Sequence, residues 1–97
     1  MKTATGKVIK AIRKHFNYKQ EFVAGKLNIT IDTLANIENG RTGLDIEKLY
    51  LISKLFAIHS GIILDLILEI HETKEDYWLN KTLIRLKTPP INYDLMG

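Results

Sequence analysis

The chain contains no cysteine, which excludes a disulfide framework, a thiolate zinc site and a cysteine nucleophile. Its two prolines, Pro89 and Pro90, stand side by side and end regular structure there. The first residues hold no apolar stretch of the kind that opens a signal peptide, so export is not expected and a cytoplasmic place is. The most apolar run, residues 61–70, contains Asp65 and Glu69. It is too short and too charged for a bilayer, which takes about 20 apolar residues. No repeat and no low-complexity tract is present. Catalytic signatures are missing too. The stretch Gly40-Arg41-Thr42-Gly43 is too short for a phosphate loop and lacks the following Lys-Ser/Thr. His71-Glu72 begins like a zinc-protease helix, but position 75 is Glu. His15, His59 and His71 are scattered singly, and no nucleophile has a base beside it. The acidic group Glu69, Glu72, Glu75 and Asp76 reads as a solvated helix end. Neither catalysis nor a metal nor a cofactor is expected.

What remains is 97 residues, 45% hydrophobic and 26% charged, the balance of one ordinary globular domain. The net charge of +3 is unevenly placed. Residues 1–43 carry eight basic and three acidic side chains; residues 44–97 carry six basic and eight acidic. The basic half points to one surface facing a polyanion and another facing something else.

The apolar spacing is helical up to residue 80; residues 82–86 alternate as a strand could, but helix is the preferred reading there. Val8, Ile9, Ile12 and Phe16 lie on one helix face, with Thr5 as its N-cap and Asn17 as a left-handed stop. Gly6, Asn28, Gly43, Ser60 and Gly61 read as further punctuation. Val23, Ala24 and Leu27 line a second helix opened near Lys19. Thr30 caps a third with Leu34 and Ile37 inward, stopped by Gly40. Asp45 caps a fourth, with Leu49, Ile52, Leu55 and Phe56 inward, and Ser60 caps a fifth. Thr73, followed by Glu75 and Asp76, resembles another helix start, and Leu79, Leu83 and Leu86 fit a helix after it. Residues 91–97 read as a tail.

Residues 19–40 form two helices of about eight residues around a short left-handed turn, the anatomy of a helix-turn-helix. Ala24 is small where the helices cross, and Ile29 plugs the angle between them. Gln20-Glu21, Ala24, Lys26-Leu27, Thr30, Thr33, Ile37-Glu38, Gly40 and the later Leu49 resemble the helix-turn-helix domains of phage repressors and Cro proteins, the XRE family. The resemblance covers about residues 6–66 without a gap. It implies an all-α fold: a five-helix lambda-repressor-like domain over residues 1–70, with a C-terminal helical extension over 71–97. It further implies a third helix, about residues 31–39, in the major groove of double-stranded DNA, and a second helix across the backbone. Base reading then falls on Ile31, Asp32, Thr33 and Asn36. Backbone contact falls on Lys19, Gln20, Thr30, Asn39 and Arg41, with Lys2, Lys7 and Lys10 as further sources of charge. Arg13 and Glu38 match a structural ion pair. One departure is plain: the third helix has no Lys or Arg and carries Asp32 and Glu38.

Seven of the nine residues 62–70 are apolar, more than the stripe a surface helix needs. The fifth helix therefore requires cover on two sides. One cover is the domain body. The other is a C-terminal helix holding Tyr77, Trp78, Leu79 and Leu83, or the same helix of a second subunit. A homodimer through Ile63, Leu66, Ile67, Ile70 and Trp78 is the expectation. A regulator that occupies an operator is the first reading. The alternative is a protein-interaction module, antitoxin-like or adaptor, whose apolar 61–86 region binds another protein.

Overall fold

A computed structural model of the protein describes residues 1–76, 78, 79, 82 and 83. Among them there are five helices and no strand: α1 (Lys2–His15), α2 (Gln20–Lys26), α3 (Ile31–Glu38), α4 (Ile46–Phe56) and α5 (Ser60–Thr73). None of these helices is long and apolar enough to cross a membrane. Each is too short to persist alone in water, so their stability comes from packing.

α1 is the central post, packed on α3 along one side and on α5 along another; α2 packs on α3 and α4 on α5. Val8, Ile9 and Ile12 of α1 are fully buried, together with Val23, Leu34, Ile37, Ile52, Phe56 and Ile63. Each such side chain contributes about 1.5–3 kcal/mol relative to exposure. At one end of this core Phe56 stacks on Phe16 (ring centroids 5.2 Å apart) and Tyr18 (5.7 Å), joining α4 to the turn before α2.

The turns follow the sequence in most places. Asn17, Asn28 and Gly40 hold positive φ, at 61°, 57° and 79°. Thr30 and Asp45 are N-caps, their side chains accepting from the N–H groups of Thr33 and Lys48. Four expectations fail. Thr5 is not a cap: α1 begins at Lys2, and the buried Thr5 hydroxyl donates back to the Met1 carbonyl at 3.0 Å. Gly6 is not a break but an interior residue of α1. Ser60 is the first residue of α5 rather than its cap, which is His59, whose Nδ1 accepts from Gly61 N–H. Thr73 ends α5 instead of starting a helix; its hydroxyl donates to the Glu69 carbonyl and accepts from Glu75 N–H.

α5 turns Ile63, Leu66, Ile67 and Ile70 into the core, and Leu79 and Leu83 join the same cluster. This corrects the expected dimer contact. Those four α5 residues are 0–7% exposed within one chain, so they offer no face to a second copy. Trp78 is half-buried, while Ile62 and Leu64 are the exposed apolar residues of α5. Of the expected helix after Thr73, residues 79, 82 and 83 are helical. Tyr77, Leu86, Pro89-Pro90 and the expected tail lie outside the described residues.

Candidate nucleic-acid interface

α2 and α3 are joined by a turn that leaves the chain little freedom. Asn28 takes the left-handed position, and Ile29 N–H reaches back to the Ala24 carbonyl at 3.0 Å. Ala24 is 2% exposed, so the two helices cross over a methyl group. Leu34 and Ile37 fasten the inner face of α3 to the core.

A buried polar cluster fixes the other end. Arg13 Nε donates to Glu38 Oε2 at 2.7 Å, and Nη2 donates to Oε1 at 3.0 Å. The third arm of the guanidinium, Nη1, donates to the Tyr18 carbonyl at 2.9 Å. Gln20 Nε2 donates to the same Glu38 Oε1 at 3.0 Å. Glu38 thus accepts three hydrogen bonds, and among the described residues no buried side-chain polar atom lacks a partner. α1, the start of α2 and the end of α3 meet at one carboxylate, and the turn before α2 joins them through the Arg13 guanidinium. The resemblance supplied Arg13 and Glu38 as a pair. The hand of Gln20 in it was not foreseen.

Gly6, interior to α1 rather than a break, has its role here. A Cβ at Gly6 would stand 2.5 Å from the carbonyl oxygens of Glu38 and Ile37. α1 therefore touches the end of α3 backbone to backbone. A signal was available: Gly6 and Arg13 are seven residues apart, on one stripe of a helix.

The outer face of α3 is open. Ile31 is 46% exposed, Asp32 and Asn39 are exposed, and Thr33 and Asn36 are half-buried. The Thr33 hydroxyl lies 2.9 Å from the Thr30 hydroxyl, within the cap, so it is partly engaged. Asn36 directs Oδ1 at Arg41 Nη1 over a long 3.4 Å, while its carbonyl accepts from Arg41 N–H and Thr42 N–H. The loop after α3 is thereby folded against its last turn, and Arg41 sits beside Asn36. Asp32 occupies the first turn of α3, where a carboxylate suits the helix dipole. That local gain gives the carboxylate a structural reason to stand there.

Cations flank this face unevenly. Lys19 is exposed at the N-cap of α2, and Arg41 is exposed beyond Gly40. The Lys2 side chain lies by Gly43, and Thr3 rests against Gly40, so the start of α1 borders the Arg41 loop. Lys7 and Lys10 point elsewhere: both line a depression on α1 with Asp76, and Lys7 pairs with that carboxylate at 3.3 Å. Gln20 keeps one amide N–H free for a phosphate, since the other is committed to Glu38. No three His, Asp or Glu side chains among the described residues come close enough to hold a metal ion.

A family model described as a helix-turn-helix domain matches residues 6–69. No curated protein and no solved structure matches the chain.

Proposed function

The chain belongs to the helix-turn-helix family, in its XRE-like group, and from that premise we propose that it is a sequence-specific transcriptional regulator that binds double-stranded DNA as a homodimer. The carrying observation is the clamp of Arg13, Glu38 and Gln20. It holds α2 and α3 at one angle while leaving Ile31, Asp32 and Asn39 in solvent. A rigid helix with an unpartnered polar face is what a major groove accepts.

In this reading α3 enters the groove. Asn36 pairs with adenine N6 and N7, and Ile31 meets a thymine methyl. Thr33 meets a base or a phosphate, and Asp32 accepts from cytosine N4. Arg41 leaves Asn36 for a phosphate, which frees Oδ1 for the base; the 3.4 Å spacing makes that exchange easy. Lys19, Gln20, Thr30 and Asn39 complete the backbone contacts, which give affinity without sequence preference. Two copies would place two α3 helices on half-sites about 34 Å apart. On α5 the apolar side chains open to such a contact form two patches, Ile62 beside half-buried Trp78 on one flank and Leu64 with half-buried Leu68 on the other.

A groove of about 300 Å³ between α5 and Trp78, lined by Ile62, Asp65, Leu66 and Glu69, favours a second reading, an adaptor that binds another protein there. Selection of duplexes from a random pool separates the two. A regulator yields an enriched site. Asn36→Ala then lowers preference for that site by about 1–3 kcal/mol, and Arg41→Ala weakens all duplexes alike. No enrichment, or unchanged preference in Asn36→Ala, contradicts the assignment of the reading face.

A further inference from the structure

α1 buries Val8, Ile9, Ile12 and Arg13 against the domain and leaves Lys7, Lys10 and Lys14 outward. These three lysines, with His15, line an open depression of about 550 Å³ whose other walls are Ala11, Asp76 and Leu79. The strip is not part of the helix-turn-helix face. α3 meets α1 through Gly6 and Arg13, whereas the lysines share their depression with Asp76 and Leu79, beyond the end of α5.

We propose that the outward face of α1, through Lys7, Lys10 and Lys14, is a second, sequence-independent contact for the phosphate backbone of duplex DNA. The composition of the patch selects this occupant over an acidic protein. Protein interfaces are anchored by aromatic, Met and Arg side chains in apolar pockets and are depleted in Lys. Here the apolar lining is one alanine and a leucine that is itself 4% exposed, so no anchor pocket exists. Mobile lysines on an open surface suit a repeating anion instead. Lys7 to Lys14 spans about 10.5 Å of helix, the length of roughly three base-pair rises along a duplex. Among the described residues Lys10 and Lys14 make no ion pair. The Lys7–Asp76 pair is about half exposed on both sides, so a phosphate displaces Asp76 at little cost. A chain holding one duplex on α3 and another on α1 bridges two segments of DNA. Bridging rests on the reading of α3 given above; the strip itself does not.

The test uses the full chain and a triple variant, Lys7→Gln, Lys10→Gln, Lys14→Gln, whose fold is checked by circular dichroism. Affinity for a 20-base-pair duplex of arbitrary sequence is measured over a salt series. The expected result is a log–log salt slope smaller by about 2–3 in the variant, near 0.9 per lost lysine contact. In a second measurement, protein held on an immobilised selected duplex retains a labelled unrelated duplex, and the variant keeps the first while releasing the second. An unchanged slope overturns the proposal. So does unchanged retention, which would assign bridging to the α3 of a second copy. Displacement by poly-glutamate more readily than by duplex also overturns it, in favour of an acidic protein. An Asn36→Ala, Arg41→Ala chain that still binds arbitrary duplex through the strip supports the proposal, even where site preference is lost.

Discussion

Arg13 and Glu38 set the energetic scale at the level of single residues. Their side chains are 10% and 2% exposed, so both charges are removed from water and held by one another, Tyr18 and Gln20. Breaking such a pair strands a charge, whereas replacing both partners with apolar groups need not cost stability. Glu38→Leu is therefore expected to destabilise the fold by about 3–5 kcal/mol in denaturant titrations, and adding Arg13→Met is expected to recover most of that loss. Additive losses would show that the pair is not coupled. Gly6→Ala is expected to lower stability by about 1–3 kcal/mol, because its methyl has no space beside the Glu38 and Ile37 carbonyls. A wild-type melting temperature in that variant would contradict the close approach. The ion pair was legible because both partners sit at recognisable positions. The bond from Gln20 was not, because a glutamine at a helix start can serve a phosphate or a neighbour equally well. Gly6 misled because glycine marks a break as often as a close approach, and only the partner backbone decides between them.

Helix ends show where local chemistry decides and where packing overrides it. Asn17, Asn28 and Gly40 are residues that tolerate positive φ, and the turns fall on them. Ala57 and Lys74 hold φ of 55° and 64° without any such tolerance. At Ala57 the reason is visible: the turn seats Phe56 and Ile58 in the core on either side, with Ile58 N–H bonded to the Ser53 carbonyl. No residue pattern announces a strained turn imposed by its neighbours. Caps divide in the same way. Thr30 and Asp45 stand directly before their apolar stripes, while His59 took the place expected of Ser60. Asp45 also carries a pH signature. The Lys48 backbone N–H, then the Lys48 side chain, hold its carboxyl below the usual carboxylate range. A lowered folded pKa means that the contribution is whole above the unfolded value and is lost as pH falls through the folded one. Asp45→Asn, a cap without charge, is expected to flatten the acid limb of the melting temperature against pH. Parallel acid limbs would show that Asp45 does not contribute to it.

At the scale of the molecule, basic and acidic side chains gather in different places. Lys19 and Arg41 flank the open side of α3, with Lys2 beside the Arg41 loop; Lys7, Lys10 and Lys14 occupy α1; Asp65 and Glu69 rim the α5 groove. The uneven charge of the two halves anticipated this separation but not its division of the basic half into two surfaces, since helical spacing places residues on a face without saying what that face meets. The same gap explains α5. Its apolar excess was plain, yet Leu79 and Leu83 share the core with Ile63, Leu66, Ile67 and Ile70, so cover from the same chain uses up the residues assigned to a partner. The central claim is that the outer side of α3 lies in the groove of a duplex. Backbone amide resonances followed during titration with a selected duplex test it directly. The account predicts shifts concentrated at Gln20, at residues 31–36 and at Arg41. An undisturbed α3, with shifts confined to Ile62, Asp65, Glu69 and Trp78, would contradict it.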